Sequence, residues 1–127
     1  MREVREWLNR YSALICHADA QSVAELWEVP ASIINQDADT TLESDAEVEA
    51  YIAREQLYYQ STGISSTIPR VEESQDLTPN TVALQVLWTN LDYDDHEIGR
   101  DRVSFVLLRG ADARYRVRIT TPLTPAE

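Results

Sequence analysis

The sequence predicts an α+β domain in which helices come first and an antiparallel sheet follows. Two observations carry that expectation. Residues 82–88, 103–108 and 115–119 are rich in Val, Ile, Leu and aromatic side chains, and the polar stretches 92–97 and 110–113 between them are poor at continuing a strand. Before residue 60 the apolar positions recur instead at steps of three and four, the signature of amphipathic helices. At 127 residues with 43% hydrophobic content, the chain is long enough for one domain with a real core.

Taken in order, Val4, Trp7, Leu8, Tyr11, Leu14 and Ile15 make the apolar stripe of a first helix. Ala18-Asp19-Ala20 interrupts it, and Asp19 is placed to cap a second, short helix. Val23, Leu26 and Trp27 form that helix's apolar face, and Pro30 is expected to stop it near Glu28, because the residue before proline avoids the α region. Residues 31–35 and 40–42 read as short strands around a turn at 36–39. Ser44 and Glu47 have the spacing of a capping box, which opens a third helix with a stripe of Val48, Tyr51, Ile52 and Tyr58 or Tyr59. Gly63 fits its C-terminal stop. Residues 64–71 alternate in part and read as a strand that Pro69 bends or confines to an edge. The three strands of the C-terminal half follow.

Both alternating faces of two of those strands are largely apolar. Val82, Leu84, Val86 and Trp88 oppose Ala83 and Leu87, while Val103, Phe105 and Leu107 oppose Val106 and Leu108. Three helices cover one face only, so the other is expected to be buried in a homodimer packed sheet against sheet.

Charge narrows the partners. With 22 acidic and 11 basic residues the net charge is −11, a field that repels phosphate, so neither nucleic acid nor an anionic membrane is an expected partner. All the basic residues are arginine, six of them between Arg100 and Arg118, where they read as the solvated face of outer strands. The absence of lysine excludes Schiff-base chemistry. Cys16, alone and beside Leu14 and Ile15, reads as an inert, buried thiol that can form neither an internal disulfide nor a thiolate-rich zinc site. The three glycines make no phosphate-binding spacing, and no GxSxG elbow occurs. His17 ends the first helix, and His96 lies in the acidic turn with Asp94, Asp95 and Glu97, which reads as a solvated hairpin tip; no metal and no cofactor are expected. No apolar run approaches the roughly 20 residues of a membrane span and no secretory signal pattern opens the chain, so a cytoplasmic protein is expected.

The element order, the passage Val23-Ala24-Glu25-Leu26-Trp27 after Ala18-Asp19, residues 30–35, and the closing pair of strands together resemble the nuclear transport factor 2-like superfamily. That is the cystatin-like cone fold shared with ketosteroid isomerase, scytalone dehydratase and SnoaL-type polyketide cyclases. The resemblance spans about residues 3–121, leaving 122–127 as a short tail. It implies three N-terminal helices on a strongly curved antiparallel or mixed sheet, with a pocket at the wide end of the cone. Carried over from ketosteroid isomerase, the oxyanion-hole tyrosine falls on Tyr11. The general base falls on Asn35, which takes no proton at useful pH, or on Asp37 under a two-residue slip; the second oxyanion donor falls near Ser104. The implied pocket is Tyr11, Trp27, Asn35, Tyr51, Tyr58, Trp88 and Ser104. The expected function is binding of a small organic molecule in the cone. The alternatives are a cyclase, dehydratase or isomerase using Tyr11 as hydrogen-bond donor, and an assembly subunit like the small subunit of ring-hydroxylating dioxygenases.

Overall fold

A computed structural model describes residues 1–123. Helix α1 (Arg2–His17) buries Val4, Trp7, Leu8, Tyr11 and Ile15, the stripe that the spacing indicates. Asp19 caps α2 (Ala20–Ala24), its carboxylate accepting a hydrogen bond from the Ser22 backbone N–H at 2.8 Å.

Here the chain departs from the sequence-based expectation. Helix α2 ends at Ala24, and Trp27 opens strand β1 (Trp27–Ile34) instead of closing a helix. The sheet claims this segment: the Leu26 carbonyl already accepts from the Val117 N–H at 2.8 Å. Pro30 therefore stops no helix. It sits exposed within β1, between Trp27 and Ser32 where the pairing register is interrupted, a position at which a missing N–H is tolerated.

Strand β2 (Asp39–Leu42) pairs antiparallel with β1. Helix α3 (Asp45–Thr62) starts with Ser44 Oγ accepting from the Glu47 N–H at 3.2 Å, while the Glu47 carboxylate accepts from the Glu43 N–H. It ends at Gly63, whose φ of +78° is the left-handed conformation that favours glycine. Strand β3 (Ser66–Thr78) runs beyond residue 71, where the pattern appears to stop. Apart from Leu77, residues 72–78 are polar, and they are mostly exposed; backbone pairing with β4 (Thr81–Leu91), not burial, holds them extended. Strands β5 (Glu97–Arg109) and β6 (Tyr115–Pro122) complete the sheet; Pro122, expected in the tail, is the last residue of β6, and the rest of that expected tail, 124–127, lies outside the described residues.

The sheet order is β2-β1-β6-β5-β4-β3. The β1–β6 pair is parallel and the other four are antiparallel, so the sheet is mixed. Pro69 lies on the edge strand β3, as its missing N–H requires. One face of the sheet packs Ala31, Ile33, Val82, Leu84, Val86, Trp88, Phe105, Leu107 and Val117 against the helices. Burial of each such side chain contributes about 1.5–3 kcal/mol. Polar contacts fix where α1 lies on that face. Trp7 Nε1 donates to the Tyr115 carbonyl at 3.0 Å, Ser12 donates to the Thr67 carbonyl, and Gln56 Nε2 from α3 donates to the Ile15 and Ala18 carbonyls at the end of α1.

The outer face is less apolar than the sequence indicates. Leu87 is buried within the single chain, flanked in register by Arg70 and Arg102. Arg102 lies 2.6 Å from Glu72, which also receives Gln85, so an ion-paired layer covers this half of the face. What remains includes Leu108 and a row in which Ala83, Val106 and Ile119 lie side by side, all half-buried.

Candidate functional site

A cavity of about 400 Å³ opens between α1, α3 and the inner face of the sheet. Each wall follows from a periodicity. On α3, Tyr51, Glu55, Tyr58 and Tyr59 are spaced i, i+4, i+7 and i+8, one stripe of a helix. On β5, Asp101, Val103 and Phe105 alternate onto one face. Tyr11 and Ile15 come from α1, Trp27 from β1 and Trp88 from β4.

Tyr11 is the hub of the aromatic lining. Its ring stacks on Trp7 at 5.2 Å and lies 6.3 Å from both Trp88 and Phe105. Its oxygen accepts a hydrogen bond from Trp27 Nε1 at 3.2 Å, and the Trp27 indole meets Tyr51 edge-on at 5.7 Å. Burial pushes the Tyr11 phenol well above the usual tyrosine pKa, the Trp27 bond opposing and nearby Tyr51 and Glu55 reinforcing. The phenol is therefore neutral and keeps its proton. Trp27 fills an acceptor position, and among the described residues no acceptor takes the Tyr11 proton, which makes this hydroxyl a donor. Tyr51 and Tyr59 are likewise pushed up by burial and stay neutral.

Two carboxyl groups complete the site. Asp101 is oriented by a polar chain: Thr67 Oγ1 donates to Asn90 Oδ1 at 2.8 Å, and Asn90 Nδ2 donates to Asp101 Oδ2 at 2.9 Å. Thr67 and Asn90 are both buried, so the chain is satisfied where an unpaired group would be costly. Glu55 has no hydrogen bond or ion pair among the described residues. Its own burial raises its pKa, the charge of Asp101 adds to this, and Arg54 works against it.

Of the residues expected to line a pocket, Tyr11, Trp27, Tyr51, Tyr58 and Trp88 share this cavity, with Tyr58 half-exposed. Two do not. Asn35 follows the end of β1 and is exposed, as is Asp37 in the turn beyond it. Ser104 lies on the outer face of the sheet beside Gln85 and Glu73, because Val103 and Phe105 on either side of the alternation point inward. Sequence reasoning missed Glu55 and Asp101. The signals for them are faint: Asp101 extends the 103-105-107 alternation by one step, and Glu55 falls on the Tyr51–Tyr58 stripe.

The remaining polar groupings lie elsewhere. Asp92, Asp94 and His96 bring ligand-type atoms within 4.8 Å of one another, but Asp92 Oδ1 is engaged by the N–H groups of Asp94 and His96, the bonding of a hairpin turn. His17 is exposed. A larger groove of about 810 Å³ near the start of α1 mixes carboxylates such as Glu3, Glu6 and Glu49 with Arg10, Arg114 and Arg116, and has no comparable aromatic enclosure. Among the C-terminal arginines, Arg100, Arg102, Arg109 and Arg116 are ion-paired to Glu97, Glu72, Glu3 and Asp112. No described helix is long and apolar enough to cross a membrane.

A family model described as "NTF2-like protein (DUF6841)" matches residues 2–125. No curated protein gives a significant match. Among solved structures, the chain is similar to an NTF2-like protein with a cystatin-like fold from Novosphingobium aromaticivorans, with TM-score 0.67 and 15% identity over 95% of this chain and 79% of that one. It is also similar to an NTF-2 like protein of unknown function from Shewanella oneidensis, with TM-score 0.71 and 8% identity over 95% and 96% of the two chains. A third is a protein from Catenulispora acidiphila in complex with S-DNPA, with TM-score 0.66 and 12% identity over 95% and 91%. At these identities the likeness establishes a cystatin-like fold.

Proposed function

Because the chain belongs to the NTF2-like family whose model spans residues 2–125, we propose that it binds a small organic molecule in the cavity around Tyr11. The observation that carries this reading is the Trp27–Tyr11 hydrogen bond. It orients a neutral phenol whose proton is left to a ligand, inside an aromatic cavity of about 400 Å³. That volume falls in the range of ligand sites, roughly 300–1,000 Å³, and an apolar lining with a few convergent polar groups is their usual composition. The Catenulispora acidiphila relative in complex with S-DNPA gives support by analogy of fold. Titration calorimetry with 2-naphthol, a neutral aromatic hydroxyl compound, tests the reading. Saturable 1:1 binding that is lost on filling the cavity by Val103→Phe, with the fold retained by circular dichroism, is the expected result. No binding, or binding indifferent to Val103→Phe, overturns it.

A second reading, an enzyme of the cyclase, dehydratase or isomerase kind, is favoured by one observation: the Glu55 carboxyl, with its raised pKa, lines the same cavity as the Tyr11 donor. Tyr11 would polarise a substrate carbonyl and Glu55 would move the proton. Deuterium uptake from D₂O into the methyl group of 2-acetonaphthone, abolished by Glu55→Gln, is the outcome that supports it; uptake no faster than in buffer counts against it.

The same chain is proposed to form a homodimer through the row of Ala83, Val106 and Ile119, with Ile34, 40% exposed, near its end. Light scattering should give twice the monomer mass, reduced to one by Val106→Glu. A monomeric wild-type protein contradicts this.

A further inference from the structure

Resting on the reading of the cavity as a ligand site, we propose that its ligand carries a positively charged nitrogen on a compact apolar body. Charge is the first argument. Glu55 and Asp101 both line the cavity, and among the described residues no arginine or histidine does; Arg54, beside Glu55 on α3, is exposed. An anionic ligand would meet two carboxyl groups with no cation to balance it, in a chain of net charge −11. The wall of the cavity is also suited to a cation. Trp27, Tyr51, Tyr58, Tyr59 and Trp88 surround the same space, and aromatic faces attract cations through their quadrupole.

Hydrogen-bonding capacity is the third argument. Asp101 Oδ2 is held by Asn90, while Oδ1 and both oxygens of Glu55 accept no bond among the described residues. The Tyr59 hydroxyl, on the same wall, is likewise without a partner among them, so the cavity offers several polar groups to a guest. Two half-buried carboxyl groups lining one cavity repel each other, and a cation between Glu55 and Asp101 relieves that repulsion. Burial and the Asp101 charge hold the Glu55 pKa up; a bound cation acts in the opposite direction. The volume of about 400 Å³ suits a single-ring amine or ammonium and excludes a peptide.

Benzyltrimethylammonium and its neutral isostere neopentylbenzene separate charge from shape. Calorimetric titration of wild-type protein is expected to show the cation binding at least about tenfold tighter, the scale set by one desolvated cation–π contact together with attraction to the carboxylates. In the isosteric double variant Glu55→Gln/Asp101→Asn that preference should fall to within about threefold, and Glu55→Gln alone should give an intermediate value if the double variant folds poorly. Equal binding of the two probes to wild-type protein overturns the cation assignment while leaving the pocket reading standing. A cation preference unchanged in a folded double variant overturns the assignment to these carboxyls. Failure of both probes together with 2-naphthol removes the pocket reading as well.

Discussion

Replacing Tyr11 by Phe removes one oxygen from the centre of the structure and leaves every ring contact in place. The Trp27 indole N–H then loses its acceptor, 3.2 Å away, in surroundings where Tyr11 is 8% and Trp27 5% exposed. Loss of the bond costs about 1 kcal/mol, and a buried donor left unpaired raises this to about 1–3 kcal/mol. The stack on Trp7 at 5.2 Å is unaffected and no cavity larger than a hydroxyl forms, so no large packing penalty adds. For a domain of this size about 1 kcal/mol shifts Tm by about 3–5 °C, which places the variant about 6–10 °C below wild type for a loss of about 2 kcal/mol. Thermal melts followed by circular dichroism measure it, with Tyr59→Phe as the comparison, since the Tyr59 hydroxyl has no partner among the described residues and its loss should shift Tm by under about 2 °C. An unchanged or raised Tm for Tyr11→Phe refutes the reasoning, because Trp27 would then have no dependence on Tyr11.

Gln56→Ala strips two hydrogen bonds from the carbonyl end of α1 and should destabilise by about 1–2 kcal/mol in urea melts; a loss below about 0.3 kcal/mol contradicts the capping role. Gly63→Ala forces a side chain into φ +78° and should cost about 1 kcal/mol, even though nothing lies within 4 Å of the added carbon. Glu55 sets a pH dependence. Its folded pKa is raised, so the native state holds the proton more tightly than the unfolded chain, and the stability this confers is present below its ordinary value of 4.5 and lost as pH rises through the folded pKa. Glu55→Gln keeps the neutral form throughout, so its stability relative to wild type should rise between pH 4 and pH 7; a constant difference across that range contradicts the buried-carboxyl account.

The helical stripes, the Ser44 cap, the Gly63 stop and the C-terminal strands were legible because each depends on local spacing or local backbone chemistry. Trp27 was not: its helical spacing with Val23 is genuine, but a long-range bond from Val117 to the Leu26 carbonyl decides in favour of the sheet. The end of β3 was hidden for a similar reason, since residues 72–78, polar except for Leu77, are extended through pairing with β4 and carry no apolar alternation to read. In the site, aromatic residues announced themselves and the carboxyls did not. Glu55 and Asp101 look like ordinary surface acids in a chain with 22 of them, and only the folded arrangement of α3 against β5 places both in one cavity. Ser104 shows the reverse error: a carried-over position fails when strand parity sets it on the opposite face.

The central claim is that the space around Tyr11 takes a ligand, and the three tryptophans report on it separately. Trp27 and Trp88 line the cavity, whereas Trp7 lies behind Tyr11 with its indole N–H bonded to the Tyr115 carbonyl. Indole ¹H–¹⁵N NMR signals followed during titration with 2-naphthol should therefore show saturable shifts for Trp27 and Trp88 and a much smaller one for Trp7. Shifts confined to Trp7, or no saturable shift at any of the three, would contradict the account.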